Sequence, residues 1–300
     1  MSKDLVVFGN LMVDDVVFPD GTTRMAEPGG AVIYAALGAR LWGLDVGVVS
    51  IVGTDYPDWA LEGMAAAGVD LAGVHPLGRP GVRIWLLYED RLRQFVHRLE
   101  RPAHPEVCPT SDTLPEAWRG ARAFHVSPMP FATQKALVES LQALPDAFVS
   151  LDPLVPLRPE TWDEWRGLAA KVDAFFVSED EMRVGSDTGD YLKTLRRLAG
   201  GRLRYVAFKR SVRGGILYDA VADRVSQWDA RAECVVDPTG AGDAFATGVL
   251  AGLLRGEDAA RALHHGIVST SFALEDWGPR AILAATREQA EARRAAWFPE

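Results

Sequence analysis

Hydrophobic positions along this chain change period repeatedly. Residues 5–8 (LVVF) and 46–52 (VGVVSIV) are uninterrupted, β-branched runs of the kind buried in a parallel sheet. Strand-like runs recur at 123–126, 147–151, 174–177 and 205–208. Between and before them lie segments with helical spacing: 31–42, which is Ala/Leu-rich and follows Pro28-Gly29-Gly30, then 59–67, 131–144, 160–170 and 191–198. Strands alternating with helices predict a three-layer α/β/α architecture with a mostly parallel central sheet. Two stretches break the rhythm. Residues 13–18, ending at an Asp20-Gly21 turn, and residues 81–98, two short strands around Glu89-Asp90, predict β excursions standing off the main sheet. Residues 215–218 and 224–228 read as a further β pair, and from Gly240 the pattern is helical to the end, broken near Gly278-Pro279. With no repeat and no Ser/Gly linker, residues 1–300 are expected to form a single domain.

Three hundred residues, 48% hydrophobic and 24% charged, suit a globular chain with a sizeable core. The net charge of −9 argues against nucleic acid or an anionic membrane as partner and leaves a small anionic substrate open. Cys108 and Cys234 are too few for a disulfide framework or a zinc site. The start is not basic-then-apolar, and no apolar stretch approaches the roughly 20 residues of a membrane helix, so a cytoplasmic protein is expected.

The chemistry concentrates in 235–250, VVDPTGAGDAFATGVL. A strand-like end runs into a Gly-Ala-Gly turn and then an apolar helix. Gly240, Ala241 and Gly242 present unpaired amides at a helix N-terminus, a site for anions and above all phosphate. Asp243 sets a carboxylate beside it, able to take a proton from a hydroxyl attacking phosphorus.

Asp237-Pro238-Thr239-Gly240-Ala241-Gly242-Asp243-Ala244-Phe245 resembles the C-terminal signature of the ribokinase family, the PfkB carbohydrate kinases. Glu27-Pro28-Gly29-Gly30 before an Ala-rich helix resembles its N-terminal glycine pair, and the blocks follow in the same order. The resemblance implies a ribokinase-like fold and transfer of the ATP γ-phosphoryl to a hydroxyl, with Asp243 as base and the Gly240–Gly242 amides as anion hole. It implies Asp14 as a ligand of substrate hydroxyls, with Asp15 its competitor, and Gly29 and Gly30 as the close backbone approach. Tyr34 stands where the family usually has a sugar-binding Asn, which puts ribose in doubt. Glu181 matches the acid of an Asn-x-x-Glu motif that orients Mg2+ waters, with Ser178 in place of the Asn. Lys209, Ser211, Arg213 and Gly214 fall in the nucleotide loop, where Ser211 replaces the first glycine of Gly-x-x-Gly. Asp237, with backbone from 272–278, matches a monovalent-cation (K+) site. The resemblance implies that the strands within about 11–24 and 81–98 form a small β lid over the substrate. In this family lid strands also pair between subunits, which implies a homodimer through the lid; Arg83, Arg91, Arg93 and Arg98 are candidates for an anionic substrate, and Trp85 for stacking on a sugar face.

The resulting expectation is an ATP- and Mg2+-dependent kinase of a small polyhydroxy substrate, a neutral sugar first, with a nucleoside or inositol as the alternative. A catalytically silent ligand-binding relative is the alternative from another class, motivated by Tyr34, Ser178 and Ser211. A dinucleotide-dependent oxidoreductase would need Gly-x-Gly-x-x-Gly after the first strand, which this chain lacks.

Overall fold

A computed structural model describes residues 2–89, 92–144, 146–185 and 189–299. The chain begins with β1 (Leu5–Phe8), β2 (Met12–Val17), β3 (Thr23–Gly29), α1 (Ala31–Arg40), β4 (Val46–Val52), α2 (Asp58–Ala66) and β5 (Asp70–Pro76). It continues with β6 (Arg83–Glu89), β7 (Leu92–His97), β8 (Ala123–Val126), α3 (Phe131–Leu141), β9 (Phe148–Leu151), α4 (Trp162–Ala169) and β10 (Ala174–Ser178). Then come α5 (Tyr191–Leu198), β11 (Tyr205–Lys209), β12 (Gly215–Asp219), β13 (Arg224–Trp228), α6 (Ala241–Leu254), α7 (Ala259–Leu274), α8 (Arg280–Ala284) and α9 (Arg287–Trp297).

The large sheet runs β13-β12-β11-β10-β9-β8-β1-β4-β5, parallel from β11 to β5 with an antiparallel hairpin, β12 and β13, at one edge. Alternate side chains of each strand feed opposite layers. Val6, Phe8, Phe124, Leu151, Phe175 and Phe208 pack against α3, α4 and α5, while Leu5, Val7, Val46 and Val48 pack against α1 and the α6–α7 side. The strands read as near-continuous apolar runs because both faces are covered.

The smaller sheet, β3-β2-β6-β7, is the lid expected from 11–24 and 81–98. Its β2–β6 pairing is parallel, so the sheet joins two segments distant in sequence. The lid is larger than the sequence suggests, because β3 extends it to Gly29. Register assigns its faces. Asp14, Val16, Ile84 and Leu86 share the inner face, and Asp15, Trp85 and Leu87 the outer. The turn at Asp90 and Arg91 lies outside the described residues.

Candidate active site

The C-terminal ends of the parallel strands meet the lid and the N-terminus of α6, where open α/β sheets gather their ligand sites. Gly240 caps α6 with φ 75°, and a Cβ there would stand 2.1 Å from Cγ of Tyr34. Glycine is therefore required both by the left-handed backbone and by the phenol ring beneath it. Asp243 lies in the first turn of α6, whose N-terminal amides and dipole favour an anion. Thr270 Oγ1 donates to the Ala241 carbonyl at 3.2 Å and ties this end of α6 to α7.

Beneath the turn, Asp237 is buried and accepts from the Thr239 amide (2.9 Å) and the Gly278 amide (3.0 Å). It thereby clamps the signature turn to the segment after α7. Tyr34 is fully buried, and its hydroxyl has no hydrogen-bond partner among the described residues. Burial, reinforced by Asp237 and Asp14, pushes its phenol far up, so it stays a donor. Asp14, on the inner lid face, lies against Gly29: a Cβ on that glycine would fall 2.0 Å from the Asp14 Oδ2. Tyr56 donates to the Gly29 carbonyl at 3.3 Å.

At the C-terminal end of β11, Lys209 Nζ sits 2.5 Å from Asp152 Oδ2 and 3.4 Å from where a Cβ on Gly242 would be. Asp152 is 1% exposed, and its Oδ1 has no partner among the described residues. Burial pushes the Asp152 carboxyl up, and Glu181 and Asp243 add to the push while Lys209 opposes it. Burial pulls Lys209 down, yet Asp152, Glu181 and Asp243 together hold it above the ordinary lysine value. The raised lysine keeps its proton. Glu181 Oε2 accepts from the Ser178 amide (2.7 Å) while the Glu181 amide donates to Ser178 Oγ (3.3 Å), a reciprocal turn that fixes this carboxylate.

With this geometry in place, comparison with known proteins becomes specific. The family model of pfkB family carbohydrate kinases matches residues 2–285. This chain belongs to the pfkB family. It is thus an ATP-dependent phosphotransferase by family. It is 30% identical to cytidine kinase of Thermococcus kodakarensis over 93% of this chain and 99% of that protein. It is 28% identical to fructokinase of Klebsiella pneumoniae over 84% of this chain and 85% of that one. In fold it resembles an Escherichia coli protein described as a ribokinase II, solved with ATP and Mg2+, with a TM-score of 0.76 at 22% identity over 97% and 98% of the two chains.

Of the residues the pfkB resemblance singles out, the structure brings Asp14, Gly29, Gly30, Tyr34, Asp237, Gly240–Gly242, Asp243, Lys209, Ser178 and Glu181 to one cleft end. Asp15 is not among them. Strand alternation turns it to the outer lid face, where Arg83 (two contacts at 2.7 Å), Arg98 (3.3 Å) and the Ala26 amide satisfy it. Despite its burial, those partners hold its carboxyl low. Arg83 and Arg98 are committed to this cluster rather than to a substrate, and Trp85 lies on the same outer side under Arg98, 5.5 Å away. The Arg93 side chain, like Arg91, is outside the described residues. Arg213 is held at the surface by Glu179. Ser211 has φ 52°, the left-handed backbone for which glycine would be the ordinary residue, and Gly214 follows at φ 68°.

Sequence reasoning missed Asp152. Its signal was available: an acid immediately after a parallel strand, followed by Pro153, at the carboxyl end of the sheet where ligands bind. Among the described residues no three His, Cys, Asp or Glu side chains cluster as direct metal ligands, and no helix is long and apolar enough to cross a membrane.

Proposed function

We propose that this protein transfers the γ-phosphoryl of Mg-ATP to a hydroxyl of a nucleoside, with cytidine the first acceptor to test. The observation that carries the reading is that Asp14, packed against Gly29, and the Gly240–Asp243 turn at the start of α6 both border the buried Tyr34, an arrangement that suits an acceptor-binding carboxylate, a base and an anion-binding amide turn. Asp243 takes the acceptor proton as its oxygen attacks phosphorus, and no covalent enzyme intermediate is required. The Gly240–Gly242 amides, with Lys209 beside Gly242, stabilise charge developing on the transferred group.

The residues fit a nucleotide and its metal: an ammonium among three carboxyls, and a buried carboxylate oxygen on Asp152 with no hydrogen-bond partner among the described residues. Magnesium supplies charge neutralisation on the phosphates, and Glu181 and Asp152 are the carboxylates assigned to hold its waters. Asp237 is assigned to a monovalent cation such as K+; its oxygens retain lone pairs beyond the two amide bonds. The nucleoside reading is supported by the cytidine kinase relative, matched over nearly its whole length. A neutral hexose is the second reading, favoured by the fructokinase relative. A homodimer through the lid belongs to the same proposal, and light scattering at micromolar concentration tests it.

The test is ADP release with Mg-ATP and K+ across cytidine, other nucleosides, fructose and other sugars, inositols and sugar phosphates. Cytidine- or nucleoside-dependent release supports the reading. Release with sugars alone transfers it to the second, and silence across the panel with ATP still binding overturns both in favour of a silent binding relative.

A further inference from the structure

The lid and the phosphate-binding turn are joined by a contact that neither the acceptor nor the nucleotide needs. Tyr88, on the inner side of β6, places its hydroxyl 3.0 Å from Thr239 Oγ1. Thr239 is 8% exposed and immediately precedes Gly240, the cap of the anion-binding helix. Its amide is already bonded to Asp237, so its backbone is fixed from below and its side chain from the lid. The Tyr88 ring is stacked on Phe18 of the same lid (4.9 Å, 2°), and Phe18 meets Trp277 edge-on (5.0 Å, 77°). Trp277 precedes Gly278, the second segment that Asp237 holds. Glu27 of β3 binds Arg280 at 2.5 Å, next to the same stretch. The lid therefore touches both pieces of chain that Asp237 ties together.

We infer that Tyr88 is a positioning residue for phosphoryl transfer: its hydroxyl, bonded to Thr239, seats the Gly240–Gly242 turn when the lid lies over the acceptor. The inference rests on the proposed kinase reading and adds a direction of control. The lid end that covers the acceptor sets the amides that receive the phosphoryl group, so transfer is favoured only when an acceptor is covered and water is excluded. Neither residue needs to contact substrate. A side chain serving only to pack would be indifferent to removal of one oxygen atom, whereas this role resides in that atom.

Tyr88→Phe removes the hydroxyl and keeps the ring stack. With whichever acceptor supports wild-type turnover, kcat should fall roughly 3- to 10-fold, the worth of one neutral hydrogen bond expressed in a transition state. The dissociation constant for ATP should not change, and ADP formed per phosphorylated acceptor should rise above one. Thr239→Val should match it, Thr239→Ser should restore wild-type behaviour, and Tyr88→Phe/Thr239→Val should be no slower than either single change. Wild-type kcat in Tyr88→Phe, single losses that multiply in the double variant, or loss confined to thermal stability would overturn the inference. The kinase reading itself fails by a different result, absence of acceptor-dependent ADP release in the wild type.

Discussion

Lys209→Met removes the ammonium from the Lys209–Asp152 pair while nearly preserving side-chain volume. Asp152 is then left 1% exposed with no counter-charge, facing Glu181 and Asp243. A carboxylate so placed takes up a proton instead of staying ionised. Leaving one partner of a buried pair uncompensated costs about 3 to 5 kcal/mol when the survivor stays charged, and because burial already pushes the Asp152 carboxyl up in the intact pair the loss here falls below that range. The sign follows from linkage. Loss of the opposing ammonium raises the folded-state pKa of Asp152 beyond its already raised value in the intact pair, so the variant matches wild type at pH below that value and falls behind as pH rises above it. Urea unfolding should give a deficit of roughly 1 to 3 kcal/mol at pH 7 and a smaller one at pH 5. Adding Asp152→Asn should recover most of it. The same variant should lose about two orders of magnitude in kcat/KM for ATP, because a charge-assisted contact near the anion turn is gone. A deficit below about 1 kcal/mol at pH 7, or one equal at pH 5 and pH 8, would refute the claim that Asp152 is a buried charge dependent on this lysine.

Asp243→Asn should fold and bind ATP but lose a factor of roughly 10² or more in kcat, measured by acceptor-dependent ADP release; near-normal kcat removes it as the base. Asp14→Asn should raise the acceptor KM by roughly 10- to 100-fold and leave ATP affinity alone, since a carboxylate that accepts hydroxyl donors becomes a poorer acceptor; an unchanged KM takes Asp14 out of the site. Burial lowers His104 and His265 to about 4 and His125 to about 3, so the unfolded chain binds protons first and stability should drain away as pH falls from about 6.5 toward 4. Each histidine contributes at most about 1.4 kcal/mol per pH unit, and His104→Gln should flatten the unfolding free energy against pH by that amount.

The parallel-sheet core was legible because burial on both faces writes β-branched runs into β1 and β4 and short apolar or aromatic ones into β8 and β10. Two strands escaped. The β3 sequence TRMAEPG carries little β propensity and holds its place through pairing with β2, with Pro28 at the outer strand of the lid, and β5, DLAGVHP, is an edge strand held by β4. The choice between Asp14 and Asp15 could not be made from composition, yet it reduces to strand alternation once the β2–β6 register is known. Ser211 was visible only as a missing glycine; its positive φ shows the loop keeping the glycine conformation without the residue. Asp152 and Lys209 are 57 positions apart, and Tyr88 and Thr239 are 151 apart. No local pattern encodes such meetings; they arise from topology.

The parallel pairing of β2 with β6 has a consequence for the order in which the molecule comes together. The two strands are separated in sequence by β3, α1, β4, α2 and β5, so their pairing closes a long loop and the four-stranded lid cannot nucleate as a single local hairpin. Loop-closure entropy must be met first by the β1–β5 half, which places lid assembly late in folding. By the same logic it is the portion expected to open first in the native state. Its own apolar cluster, Val16, Val82, Ile84, Leu86 and Val107, is small beside those flanking the main sheet. Amide exchange in β2, β3, β6 and β7 should therefore proceed through openings that leave β1, β8 and β10 protected, and the mobility needed to admit an acceptor is inherited from the way the chain is threaded.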